Sequence, residues 1–290
     1  GQDLIAAVQG YDVIVPTITD RIDADFIAHA GDGLKLIANF GAGVDHIDLD
    51  AAKAKGLLVT NTPGVLTEDT ADMAMAMILA VPRRFAEGEQ IVRAGKWTGW
   101  KPGDMLGHRI GDKTLGIFGM GRIGRAIAAR ARQFRLNLVY HNRHRLPEAV
   151  EAELGVTWAD SIEALAAASD IFSINCPHNA ATHHIVNAAL IERMKPTAAI
   201  INTARGEIID EEALIAALQS GRIAGAGLDV YHNEPHVDPR FFTLPNVVLL
   251  PHMGSATYEG RDAMGEKVIT NIRAWVDGHR PPDMVIIGWD

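Results

Sequence analysis

A chain of 290 residues with 48% hydrophobic side chains can bury a substantial core and is long enough for two domains. Its formal charge of −9 excludes general affinity for nucleic acid or an anionic membrane face. The single cysteine, Cys176, excludes an internal disulfide. The most continuous apolar stretch, Met73 to Val81, stops at Pro82-Arg83-Arg84, far short of the ~20 residues that span a bilayer. The cysteine count fits a reducing cytoplasm, the expected location, and Gly1-Gln2-Asp3-Leu4 lacks the basic-then-apolar order of a signal peptide. No metal-ligand set is assigned.

The opening third alternates short elements. Strands are predicted at Val13–Val15, Leu34–Phe40 and Leu57–Thr60, and helices at Ala24–Ala30 and Leu49–Lys55. Such alternation implies a mainly parallel sheet with helices on its faces. After the second strand comes Asn39-Phe40-Gly41-Ala42-Gly43-Val44-Asp45. Small residues at a strand's carboxyl end can expose successive N–H groups to a carboxylate, although a turn that needs glycine reads the same. Asn61-Thr62-Pro63-Gly64 opens a long helix predicted from Thr67 or Thr70 to about Ala94, capped by Thr67, Asp69 and Thr70. Gly95-Lys96-Trp97-Thr98-Gly99-Trp100-Lys101-Pro102-Gly103 is the sharpest composition shift and reads as a loop and domain boundary. Two tryptophans there suggest packing into a cleft or against another subunit. The boundaries drawn are 1–96 with 264–290 for one domain and 97–263 for the other.

The centre of the chain is Leu115 to Phe118, a short apolar run that stops at Gly119-Met120-Gly121-Arg122-Ile123-Gly124 and passes into a helical pattern ending at Phe134. Gly119 permits the tight strand-to-helix turn, Gly121 lets backbone approach a pyrophosphate, and Gly124 lets helix pack closely on strand. The helix start then offers N–H groups and a positive dipole end to phosphates. A second strand, Leu136–Tyr140, ends where an acid would bind a ribose 2′-hydroxyl. It is followed instead by His141-Asn142-Arg143-His144-Arg145. Guanidiniums at Arg143 and Arg145 suit a 2′-phosphate, so NADP(H) is expected to be preferred with NAD(H) possible; an exposed basic turn is the alternative.

Alternation continues through helix Ser161–Ala168, strand Asp170–Asn175, helix Ala188–Met194, strand Ala198–Thr203, helix Glu211–Ser220 and strands Gly227–Val230 and Val247–Leu250. Three of these strands close on unusual polar residues: Asn202-Thr203-Ala204-Arg205-Gly206, Asp229-Val230-Tyr231-His232-Asn233-Glu234-Pro235 and Pro251-His252-Met253-Gly254-Ser255. In a parallel sheet all lie on the edge that carries the Gly loop, where they can converge on one crevice. A final helix, about Thr257 to Gly278, is predicted to return to the first domain with Ile272 and Trp275 on its core face.

In this order the motifs resemble the D-isomer specific 2-hydroxyacid dehydrogenases, and within them the glyoxylate/hydroxypyruvate reductases. The resemblance covers Gly41 to Gly43, Trp97 to Trp100, Gly119 to Gly124, Asn202 to Gly206, Asp229 to Pro235 and Pro251 to Ser255. It implies an α/β protein of two doubly wound parallel-sheet domains, a Rossmann nucleotide-binding domain and a smaller flavodoxin-like substrate domain. Relatives begin with a further strand and helix, so the smaller domain is expected to lack its first strand, either natively or because the sequence is truncated. It also implies that His252 protonates the substrate oxygen, that Glu234 fixes the imidazole's tautomer and raises its pKa, and that Arg205 polarises the carbonyl. Gly41, Ala42 and Gly43 would hold the substrate carboxylate, with Phe40, Trp97 and Trp100 shaping the pocket. Asp229 would orient the nicotinamide carboxamide. Thr70, Gly119, Gly121, Arg122, Ile123, Gly124, Asn142, Arg143, Arg145, Cys176, Pro177, Thr182, Thr203, Ala204, His252 and Gly254 would line the cofactor. A homodimer joined through the nucleotide domains is expected. Two rival readings are a formate or phosphite dehydrogenase, against which Glu234 speaks for formate, and a non-catalytic nucleotide sensor.

Overall fold

A computed structural model describes residues 2–285. The chain divides into two compact units, one formed by residues up to 66 together with those from 255, the other Thr67–Gly254.

The smaller unit runs α1 (Gln2–Ala7), β1 (Val13–Ile14), α2 (Ala24–His29), β2 (Leu36–Ala38), α3 (Leu49–Ala54) and β3 (Leu58–Thr60). Its three strands are parallel in the order β1-β2-β3. Asp23 and Asp48 start α2 and α3 by accepting the amides of Phe26 and Ala51, donors the first helical turn otherwise leaves unpaired. Alternation along β2 separates the two faces: Ile37 packs with Ile22, Phe26, Ile27 and Val59, while Leu36 and Ala38 face the other way. The C-terminal helix, Tyr258–Val276, covers that second face with Val268, Ile272 and Trp275, the side that the apolar spacing predicts.

The larger unit runs α4 (Thr67–Ala80), α5 (Phe85–Arg93), β4 (Thr114–Phe118), α6 (Arg122–Gln133), β5 (Asn137–His141), α7 (Glu148–Leu154), β6 (Val156–Trp158), α8 (Ile162–Ala168), β7 (Ile171–Ile174), α9 (Ala188–Ile191), β8 (Ala199–Asn202), α10 (Glu211–Gln219), β9 (Gly225–Leu228) and β10 (Val247–Leu249). Seven parallel strands stand in the order β10-β9-β8-β7-β4-β5-β6, so the chain reverses direction across the sheet beside β4. That is the topological switch point at which open α/β sheets take ligands. Neighbouring residues on one strand serve opposite cores. Phe118, Phe172 and Ile200 face a cluster with Leu165, Leu190 and Leu214, while Ile117, Ile171 and Ile201 face one with Ala74, Ile78 and Ile127.

Three expectations are corrected. The boundary drawn at 96/97 falls at 66/67, and the one at 263/264 falls at 254/255, because α4 buries Ala71, Ala74, Met77 and Ile78 against Ile127 of α6 and Ile201 of β8. The single helix predicted to Ala94 is two: the chain breaks after Val81 at Pro82, and Arg84 takes a left-handed conformation (φ 56°) before α5 begins. The short elements α1, α7 and β6 were not anticipated, being too brief for a clear period.

Candidate active site

Where β4 ends, three glycines meet different demands. At Gly119 φ is +101°, and a Cβ would lie 2.5 Å from the amide nitrogen of Cys176. A Cβ on Gly124 would lie 2.2 Å from the carbonyl oxygen of Gly119. Gly121 is different: its φ of −78° and ψ of −157° suit any residue, and a Cβ there meets nothing within 4 Å. The protein's own packing therefore requires glycine at 119 and 124 but not at 121. Gly121 is also the N-cap of α6 and carries no side chain to pair the first amides, which with Arg122 and Ile123 leaves a ready anion site. Asn142, at the end of β5, accepts the Met120 amide at 2.7 Å and ties the Gly loop to the neighbouring strand.

The basic turn after β5 is more constrained than its sequence suggests. Arg145 gives two hydrogen bonds to Glu151 of α7 (2.9 and 2.8 Å) and lies over the Trp158 ring at 5.4 Å. The Tyr140 hydroxyl donates to the same carboxylate at 2.6 Å and accepts the Leu146 amide at 2.8 Å. Arg145 and Tyr140 together pull the Glu151 carboxyl down to about 2. Arg145, expected beside Arg143 as a phosphate ligand, is thus already engaged, and the acid that engages it sits on a helix the sequence did not announce. Arg143 is exposed and has no hydrogen-bond or ionic partner among the described residues.

Other expected cofactor-lining positions also lie in the larger unit. Cys176 follows β7 with its thiol buried, which pushes it up to about 12. The Thr182 hydroxyl donates to the Pro177 carbonyl (2.8 Å) and accepts the Asn179 amide (2.9 Å), closing that loop on itself. Thr70 is buried in the first turn of α4, and Thr203 and Ala204 are half-buried beyond β8.

The three polar strand ends are joined by specific bonds. Asn202, fully buried at the end of β8, accepts the Ala204 amide (3.0 Å) and donates to the Arg205 carbonyl (2.9 Å), which shapes the turn bearing Arg205. Gly206 packs directly on the next strand end, where a Cβ would sit 1.9 Å from the carbonyl carbon of Tyr231. Only glycine allows the two backbones to approach so closely. Glu234 folds back to accept the Tyr231 amide at 2.9 Å and the His252 Nδ1 proton at 2.7 Å. A carboxylate only accepts, so Nδ1 carries a proton and Nε2 is the imidazole atom left for chemistry. Burial alone would raise the Glu234 carboxyl, but the His252 bond and charge, the Tyr231 amide and the charge of Arg205 prevail and hold it below its ordinary value.

His252 itself has φ +53°, a left-handed conformation that a non-glycine residue keeps only when its surroundings impose it. Asp229, 1% exposed, supplies that constraint: its two oxygens accept the amides of Met253 and Gly254, each at 2.7 Å. Burial raises this carboxyl, and the two amides oppose the rise. In this structure Asp229 therefore braces the turn that presents His252.

In the smaller unit, Gly41, Ala42 and Gly43 form a loop beyond β2, and their amides donate to no acceptor among the described residues. Trp97 and Trp100 are 65% and 80% exposed. They belong to a run of exposed apolar side chains with Phe85, Val92 and Leu106. The supporting roles of Asn202 and of Asn39, described below, were missed from sequence. Their one signal is an asparagine closing an otherwise apolar strand.

Similarity to known proteins follows the same outline. The model of the NAD-binding domain of D-isomer specific 2-hydroxyacid dehydrogenases matches residues 75–254. The chain belongs to that family. The glyoxylate reductase of Thermococcus litoralis is 45% identical over 97% of this chain and 86% of its own length. A glyoxylate reductase structure from Paecilomyes thermophila superposes with a TM-score of 0.89 at 38% identity, covering 98% of this chain and 88% of that one. An NADPH-dependent glyoxylate/hydroxypyruvate reductase from Sinorhizobium meliloti, solved with NADP and malonate, gives 0.87 at 38% identity, covering 97% and 85%. This dehydrogenase is accordingly an oxidoreductase that works with a nicotinamide cofactor on a small 2-oxo or 2-hydroxy acid. No helix among its described residues is long and apolar enough to cross a membrane.

Proposed function

We propose that this dehydrogenase reduces glyoxylate or hydroxypyruvate to the D-2-hydroxy acid, with NADPH preferred over NADH. The observation that carries the reading is the His252–Glu234 pair, 2.7 Å apart, with Arg205 close enough to act on the same carboxylate, on the sheet edge that bears the Gly loop. The open space at Gly121 and the uncapped start of α6 fit a dinucleotide pyrophosphate, and Arg143 is the residue free to meet a 2′-phosphate. When bound, the nicotinamide supplies the hydride.

His252 delivers the proton from Nε2 to the carbonyl oxygen as negative charge develops there, while Glu234 keeps the charged imidazole oriented. Arg205 polarises that carbonyl and binds the acid's oxygens. Gly41, Ala42 and Gly43 take the substrate carboxylate through their amides. A second copy of the chain is proposed to cover Phe85, Val92, Trp97, Trp100 and Leu106, giving a homodimer in which the tryptophans help shape the pocket.

The test is oxidation of NADPH and of NADH, followed at 340 nm, with glyoxylate, hydroxypyruvate, formate and phosphite in the appropriate directions. Turnover of the 2-oxo acids alone supports the reading; turnover of formate or phosphite alone, or of nothing, rejects it. Sedimentation of the native protein and of Trp100→Ser reads the oligomer.

A further inference from the structure

The loop at Gly41 is held from behind. Fully buried Asn39 donates from Nδ2 to the carbonyl oxygens of both Gly41 (3.0 Å) and Gly43 (2.9 Å). The Thr62 amide also reaches the Gly41 oxygen at 3.0 Å, and Asn61 donates to the Ala42 oxygen at 2.7 Å. Three successive carbonyls are therefore occupied. In a trans peptide the N–H points opposite to the carbonyl of the same plane. Occupying the oxygens of residues 41, 42 and 43 thus fixes the amides of Ala42, Gly43 and Val44, and none of these donates to an acceptor among the described residues.

Asn39 can hold the loop in this way only in one amide orientation. The two carbonyls select it: they only accept, so Nδ2 faces them, and Oδ1 is left to face His46 Nε2 at 3.0 Å, which donates to it in the Nε2–H tautomer. A flipped amide would set Oδ1 against both carbonyl oxygens, acceptor against acceptor. The half-buried His46 thereby pairs the far side of the same amide.

We propose that Asn39, paired with His46 and assisted by Asn61, is a positioning residue that presets the amides of Ala42, Gly43 and Val44 as a receptor for the substrate carboxylate. The inference rests on the reading above that this loop takes the carboxylate, and it adds Val44 to the donors. Presetting matters because amides already aimed outward lose little freedom on binding, and because the small side chains leave them accessible. Without Asn39 the same peptides can rotate and offer carbonyl oxygens, which repel an anion.

The test compares wild type with Asn39→Asp, which keeps size and the His46 bond but removes both loop donors, and with Asn61→Ala on a half-buried side chain. The probes are KM and kcat for glyoxylate, the Kd of oxalate as a dead-end carboxylate, and the Kd of NADPH, with melting curves as the folding control. In Asn39→Asp, KM and the oxalate Kd should rise together by about tenfold or more, with kcat changed far less and NADPH affinity within about twofold. Asn61→Ala should move the same two quantities by a smaller factor.

Unchanged KM and oxalate Kd in a folded Asn39→Asp protein would overturn the proposal. Should that variant fail to fold, Asn61→Ala decides, and wild-type oxalate affinity in it is equally fatal. If wild type itself ignores oxalate while reducing glyoxylate, the carboxylate reading of the loop fails and takes the inference with it. A parallel loss of NADPH affinity would mark Asn39 as merely structural.

Discussion

Gly121→Ala and Gly124→Ala form a paired experiment whose outcomes should be opposite. At 124 the added methyl would stand 2.2 Å from a backbone oxygen and 3.2 Å from the carbon that bears it, where ordinary contact begins at 3.4 Å. No side chain can swing aside, so the start of α6 must move off β4 by about an ångström. Overpacking of this kind costs about 1–3 kcal/mol, or roughly 3–10 °C in Tm for a unit of this size. At 121 the methyl meets no protein atom within 4 Å, and the backbone angles are ordinary. Stability should stay within about 0.5 kcal/mol of wild type, a small loss of N-cap quality being offset by reduced freedom of the unfolded chain. The methyl would nevertheless occupy the space assigned to pyrophosphate. Losing one amide contact to a charged group costs about 1.5–3 kcal/mol, a roughly tenfold to hundredfold weaker Kd. Differential scanning fluorimetry and titration of NADPH fluorescence read the two quantities on the same samples. An unstable Gly121→Ala, or a stable one that binds NADPH as tightly as wild type, would refute the argument that the space exists for a ligand.

Other consequences are as direct. His252→Asn, chosen because asparagine tolerates the left-handed backbone at φ +53°, should abolish turnover and leave NADPH affinity nearly unchanged; surviving activity would reject His252 as the acid. Arg143→Ala should weaken NADPH about tenfold to hundredfold more than NADH, whereas Arg145→Ala should chiefly lower Tm, because its partners are Glu151 and Trp158. Equal losses of both cofactors in Arg143→Ala would reject the 2′-phosphate assignment. Glu151 has its carboxyl lowered from 4.5 to about 2, so its contribution to stability is present above pH 4.5 and is lost as pH falls toward 2. The Tm difference between wild type and Glu151→Gln should therefore shrink from pH 7 to pH 3, and a constant gap would count against the pairing. Cys176, buried and with its thiol raised to about 12, should resist a disulfide reagent at pH 8 until the protein is unfolded; rapid native labelling would show the site to be open.

Much of the fold was legible because the signals were local. The strand, Gly-x-Gly-x-x-Gly and helix around Gly119 required only short-range spacing, and parallel topology then put the ends of β8, β9 and β10 on one edge. Failures arose where a local pattern had two three-dimensional solutions. The apolar run of α4 continues smoothly toward residue 94, yet Pro82 divides it, and nothing in its spacing told which sheet it would pack on. For Arg145 the sequence shows a charge but not its partner, because Glu151 lies on a short helix with no clear period.

Read alone, the sequence determined the types of the longer elements, the nucleotide loop and the identity of the residues that could transfer a proton or polarise a carbonyl. Those properties follow from side-chain type and spacing along the chain. Tertiary structure alone decided which of these residues are committed to one another: Asp229 to the turn at His252, Glu234 to its imidazole, Arg145 to Glu151, and Asn39 to the carbonyls of Gly41 and Gly43. A hydrogen bond acts over about 3 Å of space and is indifferent to separation in sequence, so its partners become known only when the backbone has brought them together.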